Sequence, residues 1–162
     1  MKKVMTLFLV GLILALTGCG SKTESVPEIG YEARQAIGDD ITQYIQEKIG
    51  YNLNVNVLNS EGKINVSVSQ KMEPGVYFDK FAMICETAAA ATEVALGKYE
   101  IELDTLTVMV QSDIYDKYFL NWRSKDLKIG TFADNTKDSP AGGTNYKIDD
   151  IREYLENNLF SR

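Results

Sequence analysis

The chain has 162 residues, of which 17 are basic and 23 acidic, and it therefore carries a net charge of −6 at neutral pH. Nucleic acid phosphates require clustered Lys and Arg, so this acidity excludes nucleic acid as a partner. The chain contains no His, which excludes His-based triads, His-ligated zinc and imidazole acid–base catalysis. We therefore expect a protein that is not an enzyme and that holds no cofactor and no metal.

The N-terminus has the layout of a secretory signal peptide. Lys2 and Lys3 precede an apolar run from Val4 to Leu16, and small residues follow that run. The run has about thirteen residues, whereas a helix needs roughly twenty to cross a hydrocarbon core. A retained transmembrane helix is therefore not expected.

The signal ends in the string Leu16-Thr17-Gly18-Cys19, which resembles the lipobox of bacterial lipoproteins. In that family, an aliphatic residue, two small residues and Cys allow diacylglyceryl transfer to the thiol and then cleavage before it. The resemblance implies that residues 1–18 are a signal peptide and that Cys19 becomes the N-terminus, lipidated on its thiol and often acylated on its amine, for example with palmitate. Two or more acyl chains, at about 0.8 kcal/mol per buried methylene, hold a protein firmly at a membrane. An ordinary secretory signal followed by a chance Cys is the alternative.

The same resemblance implies a location on the extracytoplasmic face of a bacterial cell membrane. Gly20, rather than Asp, after Cys19 implies sorting to the outer membrane if the host has one. Residues 19–27 are polar and short, and at about 3.3 to 3.6 Å per stretched residue this tether keeps the domain close to the membrane. Cleavage also removes Lys2 and Lys3, which leaves a net charge of −8.

The rest of the chain, residues 28–162, has the length of one domain around one core. Apolar residues at helical spacing predict a helix from Ile29 to Ile49, which is either broken after Gly38 or made of two short helices. Alternating apolar and polar residues then predict a β-hairpin with strands over 51–57 and 64–69. The Asn and Ser side chains on its outer face could bind sugar hydroxyls, but a solvated sheet face is favoured because no aromatic side chains interleave with them.

A long second helix is predicted from Val76 to Leu96, with Gly97 at its end. Cys85 falls among the apolar positions of this helix. Because Cys19 is committed to lipid, Cys85 has no partner for an intrachain disulfide. We expect a buried and unreactive thiol, and a reactive thiol is the alternative if the residue is exposed.

Three further strands are predicted, over 103–111, 118–123 and 127–132. Aromatic residues concentrate around the second of them, and Trp, Tyr and Arg are common anchors of protein interfaces. If these side chains are exposed together, they form the candidate partner-binding site, made of Tyr115, Tyr118, Phe119, Trp122 and Arg123. Packing of the aromatic side chains within the strand pair is the favoured alternative.

The chain then passes through a polar segment, Asp134 to Asn145, for which we expect a mobile loop. Apolar residues at helical spacing predict a closing helix that contains Ile148 and Leu159, with Asp149 and Asp150 in its first turn. The complete order is αββαβββα. This order favours an α+β fold in which an antiparallel sheet of about four to five strands has helices packed on one face.

The order of elements from Asp39 to Val110 is similar to that of the BON module of bacterial envelope proteins, a likeness of topology that implies no function. The anchor, the short tether, the acidity and the lack of His together predict a lipid-anchored, non-catalytic module. It would bind or modulate an envelope protein at the membrane surface. The alternative is a lipoprotein that binds a small ligand or an envelope polymer.

Overall fold

A computed structural model of the protein describes residues 28–70, 78–111, 119–136 and 141–159. The predicted signal peptide and tether, residues 1–27, lie outside this part of the chain. Within it, three helices and one six-stranded sheet confirm the α+β class. None of the described helices combines the length and the apolarity that crossing a bilayer requires.

Helices and strands follow one another along the described part of the chain. They are α1 (Tyr31–Ile49), β1 (Leu53–Ser60), β2 (Lys63–Gln70), a 3₁₀ turn (Phe78–Lys80), α2 (Phe81–Tyr99), β3 (Leu103–Gln111), β4 (Phe119–Ser124), β5 (Ile129–Asp134), β6 (Ala141–Lys147) and α3 (Ile148–Leu159). The strands form a single sheet in the order β1-β2-β3-β4-β5-β6.

The sheet differs from the predicted one in two respects. It has six strands rather than four or five, and β2 and β3 run parallel while the other neighbouring pairs are antiparallel. Parallel neighbours need a crossover of a dozen residues or more, and the segment that contains α2 supplies it. The sheet is therefore mixed, although mostly antiparallel.

The first helix is continuous, so the predicted break after Gly38 is wrong. Ile37, Ile41 and Ile45 form a fully buried stripe on α1, and their burial outweighs the cost of about 1 kcal/mol that a helical glycine carries. A Cβ at Gly38 would lie 3.6 Å from Val57 Cγ2, so α1 packs closely against β1 at this position.

The hairpin of β1 and β2 is confirmed, and all eight residues of each strand pair without a shift in register. Glu61 (φ 50°) and Gly62 (φ 82°) form its two-residue turn, and both have the positive φ that such tight hairpins require. The second helix does not end at Gly97 as predicted. It continues to Tyr99 and ends at Glu100, which adopts the left-handed conformation.

The helices pack against one face of the sheet. Alternate residues of the strands point into this core, among them Val66, Val108, Leu120 and Phe132, and all of these are buried. The opposite face is polar and carries, among other residues, Asn54, Asn56, Ser67, Thr107 and Arg123. Within the described part of the chain, no helix belongs to this second face.

The segment from Asp134 to Asn145 is not the predicted loop, because Ala141–Lys147 forms β6 and pairs with β5. This strand consists mainly of exposed Gly, Thr and Asn, so the sequence shows no alternation of apolar residues. Its formation depends on backbone pairing with β5. The closing helix is confirmed, and the Asp150 carboxylate accepts a hydrogen bond of 2.8 Å from the N–H of Lys147 at its start.

Gly142 is the residue of β6 that is most sensitive to substitution. Its φ is +146°, and a Cβ there would lie 2.2 Å from the carbonyl oxygen of Phe132. We expect Gly142→Ala to lower the free energy of unfolding by about 1–3 kcal/mol, since both conformation and space require glycine. At Gly143 a Cβ would meet only Tyr146 Cε2 at 3.8 Å, so Gly143→Ala is the matched control. Equal urea midpoints for the two variants would contradict this pairing of β5 with β6.

Candidate interaction surfaces

The single Trp of the chain belongs to the core. Trp122 has no solvent exposure, and its indole N–H donates to the carbonyl oxygen of Tyr146 at 3.3 Å. It is in phase with Leu120, which is also fully buried, so alternation along β4 turns both side chains towards the helices. Gly130 leaves room for the indole, because a Cβ there would lie 2.7 Å from Trp122 Nε1. The prediction of Trp122 as an exposed partner anchor is therefore corrected.

The other residues of that predicted site are separated from Trp122 by the sheet or lie outside the described residues. Phe119 is half-buried and Arg123 is exposed, and both have the phase of the outer, polar face. Tyr115 and Tyr118 lie outside the described residues. The structure thus brings Phe119 and Arg123 to one face and places Trp122 on the other.

Cys85 is completely buried in α2, and this desolvation raises the pKa of its thiol well above the ordinary value. The expectation of a buried thiol is confirmed. Because the thiolate is the nucleophile, a thiol held neutral in the core does not support cysteine chemistry.

Asp134 is a buried carboxylate that accepts hydrogen bonds from a neighbour in the chain and from α3. It accepts from the N–H and the hydroxyl of Thr136 at 2.8 and 2.5 Å, and from the hydroxyl of Tyr154 at 2.8 Å. Burial, followed by the bond to Asp134, raises the pKa of Tyr154. These contacts connect the end of β5 to α3. Within the described ranges, no three Asp, Glu or Cys side chains are grouped to hold a metal ion.

An open recess of about 670 Å³ lies where β4, β5 and β6 meet. Its lining includes Arg123, Lys125, Asp126, Thr131, Thr144 and Asn145. The backbone N–H groups of Ile129 and Lys128 donate to the Asp126 carboxylate at 2.9 Å and hold its pKa below the ordinary value. Asp126 thus shapes the turn, while Arg123 and Lys125 provide exposed cationic groups.

The two edges of the sheet differ in their protection. Proteins protect edge strands with charges, bulges or close covering elements. The edge strand β6 has a shift in register against β5, the strained Gly142, a terminal Lys147 and contacts with α3. The edge strand β1, Leu53–Ser60, has no charged residue and no irregularity in its pairing.

A groove of about 310 Å³ runs between β1 and α1. Its lining includes Tyr31, Gln35, Gly38, Thr42 and Leu58, together with the charged residues Arg34 and Asp39. Tyr31 is 70% exposed and Leu58 is 51% exposed, so two large apolar side chains border the groove in contact with water. We call this surface, made of β1 and the adjoining side of α1, the β1–α1 groove.

One end of the β1–α1 groove is fixed by the residues that precede α1. The N–H of Ile29 donates to Asn59 Oδ1 at 3.1 Å, and Arg34 Nε donates to the carbonyl oxygen of Ile29, also at 3.1 Å. The first described residues, which precede α1, therefore lie beside the C-terminal end of β1.

Sequence reasoning did not find the β1–α1 groove. The sequence does show that the segment from Leu53 to Ser60 has no charged residue. Only the strand order shows that this segment is the edge strand of the sheet. Comparisons with protein families, with curated proteins and with solved structures find no match to this chain.

Proposed function

We propose that this protein is a lipid-anchored extracytoplasmic lipoprotein that acts as a non-catalytic interaction or modulatory module at the membrane surface. The observation that carries the proposal is the β1–α1 groove, where an uncharged edge strand and two exposed apolar side chains adjoin. Edge strands without protection are templates for pairing with another chain. The lack of His and the buried Cys85 also favour binding over catalysis.

The place where the proposed tether joins the domain favours a partner in the same membrane. The proposed tether, residues 19–27, joins the domain at Glu28, next to Ile29 and its bond to Asn59 at the end of β1. A short tether that starts there holds this end of the β1–α1 groove near the lipid anchor. The partner is therefore an envelope protein that is accessible close to the membrane surface.

Site-specific photocrosslinking in intact cells tests this function. A photoreactive residue in place of Leu58, within the β1–α1 groove, is expected to capture one discrete envelope protein. Val94 is the matched control, because it is also a large apolar residue, is 57% exposed, and lies on α2 away from the groove. If neither position captures a discrete protein, or if both capture the same set of abundant proteins, the interaction function fails.

The recess beside β4, β5 and β6 supports a second candidate function, the binding of a small ligand or an envelope polymer. Arg123 and Lys125 offer cationic donors there, and Thr131, Thr144 and Asn145 offer hydroxyl and amide groups. Such a set suits a polymer with anionic and hydroxyl groups. Calorimetric titration with purified cell-wall fragments tests this candidate, which fails if heats for Arg123→Ala and for the wild type are equal.

A further inference from the structure

We propose that β1 binds an extended segment of the partner protein, which adds to the sheet as a strand and places alternate side chains in the β1–α1 groove. This inference rests on the proposed interaction function and specifies its chemistry. The partner contributes mainly backbone hydrogen bonds along Leu53–Ser60, and its side chains determine specificity at the groove.

The pairing of β1 with β2 uses one side of the β1 backbone. Strand residues direct their N–H and C=O groups alternately to either side, and β1 uses only one side for its eight pairs with β2. In the described part of the chain, no strand pairs with the outer side of β1. The backbone N–H and C=O groups of an added strand have the same spacing as those of β1 and could pair with them along the whole strand.

Side chains of α1 line the β1–α1 groove next to β1. Along α1, Tyr31, Gln35, Gly38 and Thr42 recur at intervals of three or four residues and thus form one stripe beside β1. Gly38 adds no side chain to this stripe, at a position where a Cβ would lie 3.6 Å from Val57 Cγ2. An added strand would place every second side chain over this stripe and the others beside Asn54, Asn56 and Leu58.

Charge indicates what kind of segment fits. The chain carries a net charge of −6, so a second copy at the edge would bring two acidic domains together and would be opposed by their repulsion. The eight residues of β1 are uncharged, and the two charged residues on the α1 side of the groove, Arg34 and Asp39, have opposite signs. The groove therefore offers no net charge to the centre of a partner strand. The occupant is therefore an uncharged, β-forming segment of another protein, with Lys or Arg in its flanks.

Selection of displayed twelve-residue random peptides on the full-length protein in detergent micelles tests this inference. We expect the selected peptides to have uncharged centres of alternating residues and basic flanks. Methylation of their backbone amides, one at a time, should weaken binding at every second position, because only alternate amides face β1. A helix or an irregular ligand would not show this period of two.

Two variants that add a positive charge distinguish binding at the β1 edge from binding on the polar face of the sheet. Asn56 and Ser67 are register partners on the same face, but Asn56 lies on the edge strand and Ser67 one strand further in. Asn56→Lys is expected to weaken peptide binding by about tenfold or more, since Lys on an edge blocks strand addition, whereas Ser67→Lys retains it. Matching circular dichroism spectra would show that both variants fold.

The outcomes distinguish this inference from the function on which it rests. If the Leu58 probe captures a partner but Asn56→Lys retains peptide and partner binding, strand addition is wrong and the interaction function stands. Failure to select any peptide, or methylation effects without a period of two, likewise overturns strand addition. Sedimentation that shows a wild-type dimer and an Asn56→Lys monomer would overturn the hetero-partner in favour of a second copy. If the Leu58 probe captures nothing, the interaction function itself fails.

Discussion

Replacing Trp122 by alanine is expected to lower the free energy of unfolding by about 3–5 kcal/mol, the usual cost of removing a fully buried Trp side chain. The side chain has no solvent exposure, lies opposite Phe132 across the β4–β5 pair, and donates its indole N–H to Tyr146. A cavity would result, and the carbonyl oxygen of Tyr146 would lose this donor. Since whole domains are stable by only about 5–15 kcal/mol, this variant should be near its unfolding limit.

Urea unfolding followed by far-ultraviolet circular dichroism measures this effect, because the variant has lost the only Trp of the chain. Trp122→Phe retains a ring and loses the hydrogen bond, so we expect a smaller loss. Phe119→Ala, at a half-buried position on the polar face, serves as the second control. A Trp122→Ala midpoint equal to that of the wild type would show that the indole is not part of the core and would restore it as a candidate partner anchor.

Replacing Cys19 by alanine is expected to abolish lipidation and processing, which is the largest change in location that a single substitution in this chain could cause. The prediction rests on the lipobox Leu16-Thr17-Gly18-Cys19. The wild-type protein should lack residues 1–18 and carry acyl mass on its N-terminal peptide. The variant should have neither property, because no thiol accepts the diacylglyceryl group.

Mass spectrometry of the purified proteins provides this measurement. Cys85→Ala is the matched control, since it removes the other thiol, which is fully buried in α2, and should retain the acyl mass at Cys19. An unmodified wild-type N-terminal peptide that begins elsewhere would contradict the lipoprotein assignment. In that case the proposed membrane-surface function would lose its anchor, while the β1–α1 groove would still require an explanation.

Local pattern was sufficient for most of the fold. The spacing of Ile37, Ile41 and Ile45 predicted α1, and alternation predicted the β1–β2 hairpin, because each pattern reflects one buried side of one element. The helix ends were harder to predict. Gly97 looked like a stop, but α2 continues for two more residues because packing along its length outweighs the preference of one glycine.

The candidate site could not be predicted in the same way. The concentration of aromatics around Trp122 left both an exposed site and packing within the strand pair open, because which face of β4 is buried depends on the helices that cover it. The β1–α1 groove depends on strand order, which is a relation between distant segments. The local pattern that defines a strand shows neither which face of β4 is buried nor that β1 lies at the edge of the sheet.

The sequence by itself determined the α+β class, the acidic character, the lack of imidazole chemistry and most of the elements, and it predicts the lipid anchor. These follow from composition, from a short motif and from periods that each segment carries within itself. Only the tertiary structure decided that β2 and β3 are parallel, that β6 joins the sheet, that Trp122 is buried and that β1 is an edge of the sheet formed by the described residues. The physical reason is that pairing and burial are set by partners far away in the chain, whereas helix and strand periods are set by neighbours.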